Sequence, residues 1–470
     1  MNELLMLACV GIPLAGAFFI PMFGKVNTKL RNALTFLFVF IAFICSVLLL
    51  PNVFSGTAVF IHAYIPLGLS FGFRADALSV FMAITSSLVS AIIVIYSFGY
   101  IKKYDNQNEY YLMISLFIGA MMGLVYSTNL IMLYLFWEIT SFCSWRLIGF
   151  YRDKTSIKRA NKAFIVTVLG AFVMLIGFIG IYAETGTFDI VALKGYTLPS
   201  WIVGLILVGI LSKSATFPLH SWLPDAGVAP SPVTSLLHAA VLVKIGLFVY
   251  VRLFVVEMNI DAMFTQIVPT IAAISALISA GAALKATDIK RVIAYSTISQ
   301  IAFILLGLSC GIEIGITGGL LYILAHSIAK GGLFLCAGIV EHALHTKDMN
   351  QMGGLIKTMP ITAISCLFCA LSVMGIPPFG GFFAKFFVIN GIISSGQIVL
   401  GIIFIIGAVM TVLYLARMFS MVFLGEVKNS AHEGTKGMLA SVVTLAVLSL
   451  AMGILINYPT ELARLVGGIQ

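Results

Sequence analysis

Long apolar segments, separated by short polar breaks, run along the whole sequence. Most are close to twenty residues long, which is the length that an α-helix needs to cross the hydrocarbon core of a bilayer. The first segment has no basic residues before it and no small-residue cleavage signal soon after it, so we expect a retained helix. The pattern predicts about fourteen membrane-spanning helices, at 3–23, 31–50, 75–100, 110–127, 129–150, 161–183, 200–217, 231–256, 264–284, 292–310, 313–339, 359–391, 396–424 and 437–457.

The composition supports the same class. Of the 470 residues, 60% are hydrophobic and 10% are charged, and the mean hydropathy of +1.09 is far above that of soluble domains. The apolar segments leave no stretch long enough for a soluble domain. The sequence therefore predicts an all-α, multi-pass integral membrane protein.

The basic residues are distributed unevenly between the predicted loops. The formal net charge is +9, and most of the positive charge lies in loops after odd-numbered helices. Loops on the even-numbered side hold few basic residues: Arg74, Lys194, Arg252 and Arg464. Because positive loops stay in the cytoplasm, we expect the odd side to be cytoplasmic, and the charge sets orientation rather than marking a nucleic-acid partner.

Proline interrupts two of the predicted helices, the seventh at Pro218 and the twelfth at Pro377 and Pro378. Proline removes a helix hydrogen bond, and broken backbone at membrane depth is tolerated only next to protein or a hydrated cavity. Lys213 precedes the first break and Lys385 follows the second. Paired breaks in the two halves of a transporter indicate its ion path, and these two segments look like copies in an internal repeat.

Charged side chains inside the predicted spans are the candidates for chemistry. Glu138 lies near the middle of the fifth predicted helix, and Lys213, Lys244 and Lys385 are similarly deep. Charge at that depth is costly, so these groups favour proton exchange over a purely structural role. A mobile Glu138 near Lys213 would act as an electrostatic switch. Static ion pairing is the alternative.

Histidines accompany the lysines. His326 and Lys330 are four residues apart on the eleventh predicted helix, so they share a face and form a candidate relay step. His238 lies six residues from Lys244, on a different face, and is a candidate for lining a water chain. His220, in the first break, ranks below the lysines. Structural hydrogen bonding of the histidines is the alternative.

Other chemistry has no support in the sequence. The seven cysteines fall mostly within apolar spans, and the pair Cys366 and Cys369 lies inside one continuous hydrophobic segment, so a metal site is not expected. Phosphate-binding loops, nucleophile elbows and metalloprotease motifs are missing from the sequence. A transport cycle would need an energy source outside this chain.

Six strings resemble one family. They are WEITS at 137–141, the segment 213–226 from Lys213 to Ala226, PSPVTSLLHAA at 230–240, AYSTISQ at 294–300, HSIAK at 326–330 and GIPPF at 375–379. They are similar to the antiporter-like membrane subunits shared by complex I, Mrp sodium/proton antiporters and energy-converting (group 4) membrane hydrogenases. The resemblance covers residues 70 to 425. The amino-acid sequences of the motifs are more similar to those of the Mrp and hydrogenase members than to those of mitochondrial complex I.

The resemblance implies fourteen helices with two inverted five-helix repeats and broken helices 7 and 12. It divides the chain into helices 1–3 (1–109), a first repeat (110–256), a second repeat (257–424), and helix 14 with the C-terminus (425–470). By the family pattern, the ion-translocating residues are Glu138, Lys213, Lys244, His326, Lys330 and Lys385.

Two arginines inside the predicted spans lie near cytoplasmic helix ends. We expect Arg146 and Arg417 to extend their side chains to the membrane interface. Arg146 also departs from the family, whose members usually carry an aliphatic residue there. Its role is open.

The implied function is proton translocation, with Na⁺ exchange left open, as a subunit of a redox-driven complex in a prokaryotic cytoplasmic membrane. An Mrp-type sodium/proton antiporter without redox activity is the alternative. Further antiporter-like subunits, small helical subunits and a peripheral redox arm would be the partners. Iron–sulfur clusters, with a nickel–iron or flavin centre left open, would lie on those partners, and none is expected here. The chain ends soon after the fourteenth predicted helix, so we expect a shorter member without the long lateral helix of the largest complex I subunit.

Overall fold

The computed structural model describes residues 1–65, 69–429 and 431–467. These form a helical bundle with one short β-hairpin, β1 (Val59–Ile65) and β2 (Leu69–Ala75), which pair antiparallel. The helices are α1 (Asn2–Val26), α2 (Thr28–Leu48), α3 (Leu50–Phe54), α4 (Ala77–Tyr100), α5 (Gln107–Tyr126), α6 (Leu130–Ile148), α7 (Lys154–Thr185), α8 (Ser200–Lys213), α9 (Trp222–Asp225), α10 (Ser231–Ser235), α11 (Leu242–Val251), α12 (Phe264–Lys285), α13 (Ile289–Ser309), α14 (Glu313–Leu344), α15 (Pro360–Met374), α16 (Gly380–Ser394), α17 (Ile398–Phe423), α18 (Lys436–Ile454) and α19 (Asn457–Gly467).

The helices have the length and composition of membrane spans. Within the described ranges, eleven helical stretches are long and apolar enough to cross a bilayer. Three shorter apolar helices, α8, α15 and α16, flank the predicted breaks. The helix α6, which carries Glu138, has 19 residues and is therefore also close to the length of a membrane span. The prediction of an all-α membrane protein is confirmed, whereas the number fourteen stays a prediction.

The helix α14 lies at the centre of the bundle. It packs against α13, α15, α16 and α18 and against α10, and 94% of its most apolar stretch is buried. The outermost helices, α2 and α17, bury only 33% of theirs, and large apolar side chains cover their outer faces. A polar side chain on α14 is therefore held by protein, whereas the outer helices present apolar surface to lipid or to other subunits.

Several predicted boundaries are wrong for local reasons. The helix predicted at 161–183 begins at Lys154 because Asp153 caps it, accepting from the backbone N–H of Ser156 at 3.0 Å. Its first turns are charged, so hydrophobicity did not reveal them. The span predicted at 231–256 is interrupted by π-helical turns at Leu236–Ala240 and Arg252–Glu257. The hairpin and α19 were not predicted.

Both predicted breaks are present. α8 ends at Lys213, and the chain runs irregularly to α9, with a cis peptide bond between Phe217 and Pro218. α15 ends at Met374, where the φ of +82° at Gly375 closes the helix, and the Pro377–Pro378 bond is also cis. The position of the backbone breaks was therefore readable from proline alone.

Candidate functional site

Lys213 is the last residue of α8, and its side chain crosses to α6. It is fully buried. Its ammonium group donates to Ser141 Oγ at 2.6 Å and to the carbonyl of Trp137 at 3.2 Å, and it lies 5.2 Å from the centre of the Trp137 ring. Neutral acceptors on α6 therefore hold the ammonium group of Lys213.

Glu138 lies on α6 between those two partners of Lys213. It is partly buried, and its Oε1 has no hydrogen-bond partner in the described structure. The described part of the chain shows no Glu138–Lys213 contact within 4.0 Å among its ion pairs. The carboxylate is thus near the lysine without being fixed to it.

The first break gives His220 a peripheral position. His220 is partly buried, its ring lies 5.7 Å from that of Phe217, and its Nδ1 is unpaired among the described residues. Pro218 is exposed at the surface of the protein. Trp222 closes the break by donating to the carbonyl of Ser212 at 3.0 Å.

Lys244 lies beyond the π-helical turn 236–240, and that turn supplies its partners. The wider turn frees carbonyl groups that a regular helix would use. The Lys244 ammonium group donates to the carbonyl of His238 at 2.8 Å and to that of Ala239. The lysine thus contacts the main chain of His238. The imidazole packs 4.6 Å from the Phe334 ring, with both nitrogens unpaired in the described structure.

Lys330 is held by α13. Its ammonium group donates to Ser296 Oγ and to the carbonyl of Ile293, the latter at 3.3 Å. His326, one turn earlier on α14, is 1% exposed, and neither ring nitrogen has a partner in the described ranges. The pair occupies the fully buried centre of the bundle.

Sequence reasoning did not find the polar network that continues from Lys330. Ser296 shares a hydrogen bond of 2.7 Å with Tyr414 on α17. Gln300 donates to Tyr414 at 3.3 Å and accepts from Tyr322. The string 294–300 was a motif signal, but the hydroxyl partner lies more than a hundred residues away and has no signal of its own.

Lys385 caps the end of α15 from α16. Its ammonium group donates to the carbonyls of Val373 at 2.8 Å and Met374 at 3.1 Å, which the break leaves without helical partners. A Cβ on Gly375 would lie 2.8 Å from Lys385 Cδ, so glycine is required there for contact as well as for its φ. Pro377 and Pro378 are exposed.

The four lysines form an ordered row. α8 packs on α11, the π-helical turn before α11 packs on α14, and α14 packs on α16. In the described structure, the ion pairs within 4.0 Å include none of the four. Carbonyl and hydroxyl oxygens therefore solvate a row of buried ammonium groups, which is a chemically suitable arrangement for passing protons.

Comparison with known proteins identifies the family. Residues 127–411 match the family model described as "NADH:quinone oxidoreductase/Mrp antiporter, TM". The chain belongs to this family. Residues 62–111 match a second model, "NADH-Ubiquinone oxidoreductase (complex I), chain 5 N-terminus". The resemblance drawn from the sequence motifs is confirmed, and this chain is an integral, multi-pass membrane protein.

Its curated relatives carry two kinds of name. "NAD(P)H-quinone oxidoreductase chain 5" of Synechocystis sp. is 36% identical over 393 residues, covering 79% of this chain and 57% of that protein. A Na⁺/H⁺ antiporter subunit of Alkalihalophilus pseudofirmus is 35% identical over 432 residues, covering 83% of this chain and 53% of that protein. The chain thus spans about half the length of these relatives.

Solved structures share the fold. A chain of the Mrp complex from Dietzia sp. superposes with a TM-score of 0.92 at 23% identity, covering 99% of this chain and 97% of that one. A chain of the membrane-bound sulfane sulfur reductase, "an archaeal respiratory membrane complex", superposes with a TM-score of 0.90, also at 23% identity, covering 98% and 97%. At that identity the likeness supports the architecture alone.

Arg146 and Arg417 are not part of the lysine row, because each contacts a partner near the end of a helix. Arg146 pairs with Glu109, which also binds Arg152. Arg417 donates to the carbonyls of Leu284 and Ala286 at the end of α12. Arg146 and Arg417 were expected to extend to the interface, and each has a fixed partner in the chain.

A metal centre has no visible basis in the described chain. Among the described residues, no cluster of three or more His, Cys, Asp or Glu side chains is able to hold a metal ion. Cys366 and Cys369 are buried between α15 and its neighbours. The placement of redox centres on partner subunits stays a prediction.

Proposed function

We propose that this chain is the proton-translocating, antiporter-like subunit of a redox-driven membrane complex of the complex I or energy-converting hydrogenase type. The observation that carries the proposal is the row Lys213, Lys244, Lys330 and Lys385, buried and solvated by neutral oxygens. Burying an ammonium group costs several kcal/mol unless it is paired. A buried ionisable group of this kind is retained where its function requires protonation and deprotonation.

Glu138 is the switch in this scheme. Its carboxylate favours the charged form of Lys213 when near and disfavours it when it moves away or is protonated. The free Oε1 and the absence of a direct ion pair in the described structure support a mobile carboxylate. The proton then passes through Lys244, the His326–Lys330 pair and Lys385. His238 lines a water chain beside this path, and His220, in the first break, is a secondary position for proton transfer.

The surface around Glu138 supports membrane partners. Leu135 and Phe142 lie on the same side of α6 and are 49% and 44% exposed. A half-buried carboxylate on an apolar face is unfavourable against lipid. We infer that another membrane subunit covers this face, and that a peripheral arm with iron–sulfur clusters, and a nickel–iron or flavin centre where the donor requires it, supplies the energy.

The second candidate is an Mrp-type antiporter that exchanges Na⁺ for H⁺ without redox activity. The nearly equal identity to relatives of both names favours neither. Copurified subunits decide between them, because a redox complex brings cluster-binding proteins and an antiporter does not. Proton movement that requires electron input supports the first, and sodium uptake driven by a pH gradient supports the second.

The test of translocation compares variants in the assembled complex, reconstituted in sealed vesicles. Glu138→Gln and Lys213→Ala are expected to reduce the pH gradient per turnover by at least about tenfold. The matched controls are Glu109→Gln, a carboxylate that pairs with surface arginines, and Lys102→Ala, an exposed lysine. If the two site variants pump like the controls while assembly is complete, this assignment of the path is wrong.

A further inference from the structure

A basic groove follows the first turns of α7 at the face of the bundle predicted to be cytoplasmic. Its volume is about 880 Å³, and its lining includes the four cations Lys154, Lys158, Arg159 and Lys162, the carboxylate of Asp225, and the apolar Ile165. Of the cations, Lys162 is engaged by Asp225 at 2.7 Å. The other three have no carboxylate within 4.0 Å in the described chain.

Unpaired cations are unfavourable at this end of a helix. The first turn carries the positive end of the helix dipole, which favours acidic side chains. α13 also begins with two cations, but each is compensated: Lys290 by Glu341 at 2.6 Å and Arg291 by Asp225 at 2.8 Å. At the start of α7, Asp153 caps the helix, but Lys154, Lys158 and Arg159 have no carboxylate within 4.0 Å in the described structure, so these three cations are suited to an anion from outside the chain.

An apolar stripe continues from the groove down the same side of α7. Ile165, Leu169, Phe172, Ile176 and Ile179 are between 44% and 60% exposed, and their spacing of three and four residues places them on one helix face. Cationic side chains therefore occupy the membrane-surface end of this face, and apolar side chains occupy the part within the bilayer.

We propose that this face of α7 binds an anionic phospholipid, with the phosphate in the groove and an acyl chain along the stripe. One molecule of that chemistry satisfies both halves of the surface, because it carries negative charge at interface depth and hydrocarbon below it. An acidic segment of a partner subunit is the competing occupant. It would satisfy the cations without requiring five apolar residues in line with them.

The test uses the complete complex in detergent and native mass spectrometry with added phosphatidylglycerol or phosphatidylcholine. The variant replaces Lys154, Lys158 and Arg159 with glutamine. The control replaces the exposed Lys25, Lys29 and Lys102 with glutamine, which changes the net charge equally. Each basic residue near the surface contributes up to about fivefold in affinity, so the groove variant should bind phosphatidylglycerol about a hundredfold more weakly.

The outcomes separate the alternatives. Weak phosphatidylglycerol binding by the groove variant, with the control and phosphatidylcholine binding unchanged, supports the proposal. An equal loss in both triple variants shows non-specific attraction and overturns it. Unchanged lipid binding with loss of a subunit from the groove variant assigns the face to a protein partner and also overturns it. If the triple variant does not assemble, Lys158→Gln alone must show about fivefold weaker binding.

Discussion

A buried ion-pair network at the predicted outer face allows a quantitative test of the packing. Asp76, the residue that caps α4, accepts hydrogen bonds from Nη1 and Nη2 of Arg252, at 2.5 and 2.9 Å, and pairs with Nε of Arg74 at 2.9 Å. Glu257 also contacts both arginines. Arg252 is 2% exposed. Removing one charge of a buried group costs about 3–5 kcal/mol because the partner charge is left uncompensated, and we expect this loss for Asp76→Asn.

The assay can use the seven cysteines, which are all buried and free. A thiol-reactive fluorescent dye reports their exposure on heating in detergent. The control is Glu109→Gln, which removes the partner of Arg146 and Arg152, whose side chains are 34% and 56% exposed. Pairs of that exposure contribute about 0–1 kcal/mol. Asp76→Asn should therefore lower the melting temperature several times more than the control, and equal shifts would refute the reasoning.

The same network predicts how the effect varies with pH. Burial raises the pKa of the Asp76 carboxyl, but the charges and hydrogen bonds of Arg252, with the charge of Arg74, outweigh it and hold the pKa well below its usual range. A carboxyl whose folded pKa is depressed contributes stability above its unfolded pKa of about 3.9 and loses it as pH falls through the folded value. The difference between wild type and Asp76→Asn should therefore stay constant from about pH 8 to about pH 5. A difference that halves over that interval would contradict the assignment.

Two further changes test the surroundings of the lysine row. Gly375→Ala places a Cβ at a residue with a φ of +82° and in contact with Lys385. We expect the free energy of unfolding to fall by about 1–3 kcal/mol and proton pumping to be reduced. The control Gly396→Ala, with a φ of +77° and open space around it, should show the backbone cost without the loss of pumping. Tyr414→Phe removes the hydroxyl bonded to Ser296 and should lower the free energy of unfolding by about 1–3 kcal/mol, measured by the same dye assay, whereas the exposed Tyr458→Phe should not.

Much of the fold was predictable because the bilayer restricts the possible structures. Apolar length indicated the spans, and proline indicated both backbone breaks. The π-helical turns before and after α11 were not predictable, because their sequences are as apolar and as helix-compatible as those of neighbouring helices. The β-hairpin was missed because its strands fall between spans, where hydrophobicity carries no alternating signal.

The buried charged residues of the candidate site were predictable from the sequence, but their contacts were not. Charge inside an apolar segment is conspicuous, so Lys213 and Lys330 could be found without a structure. Their partners Ser141 and Ser296 could not, because serine is common in membrane helices and each partner lies on a different helix. The contact between Lys244 and the carbonyl of His238 depends on the π-helical turn 236–240, which could not be predicted from the sequence.

The nature of those contacts affects how the proposed row would work. An ammonium group fixed to a carboxylate keeps its charge, whereas one held by carbonyl and hydroxyl oxygens is sensitive to every charge nearby. Two unit charges about 10 Å apart interact by about 1.7 kcal/mol at an effective dielectric constant near 20, enough to change occupancy more than tenfold. In the proposed row, a proton arriving at Lys244 or Lys330 would therefore disfavour charge on the next lysine. Since Glu138 is the only carboxylate among the predicted site residues, its movement would bias Lys213 first, and the row would carry that bias onward one site at a time.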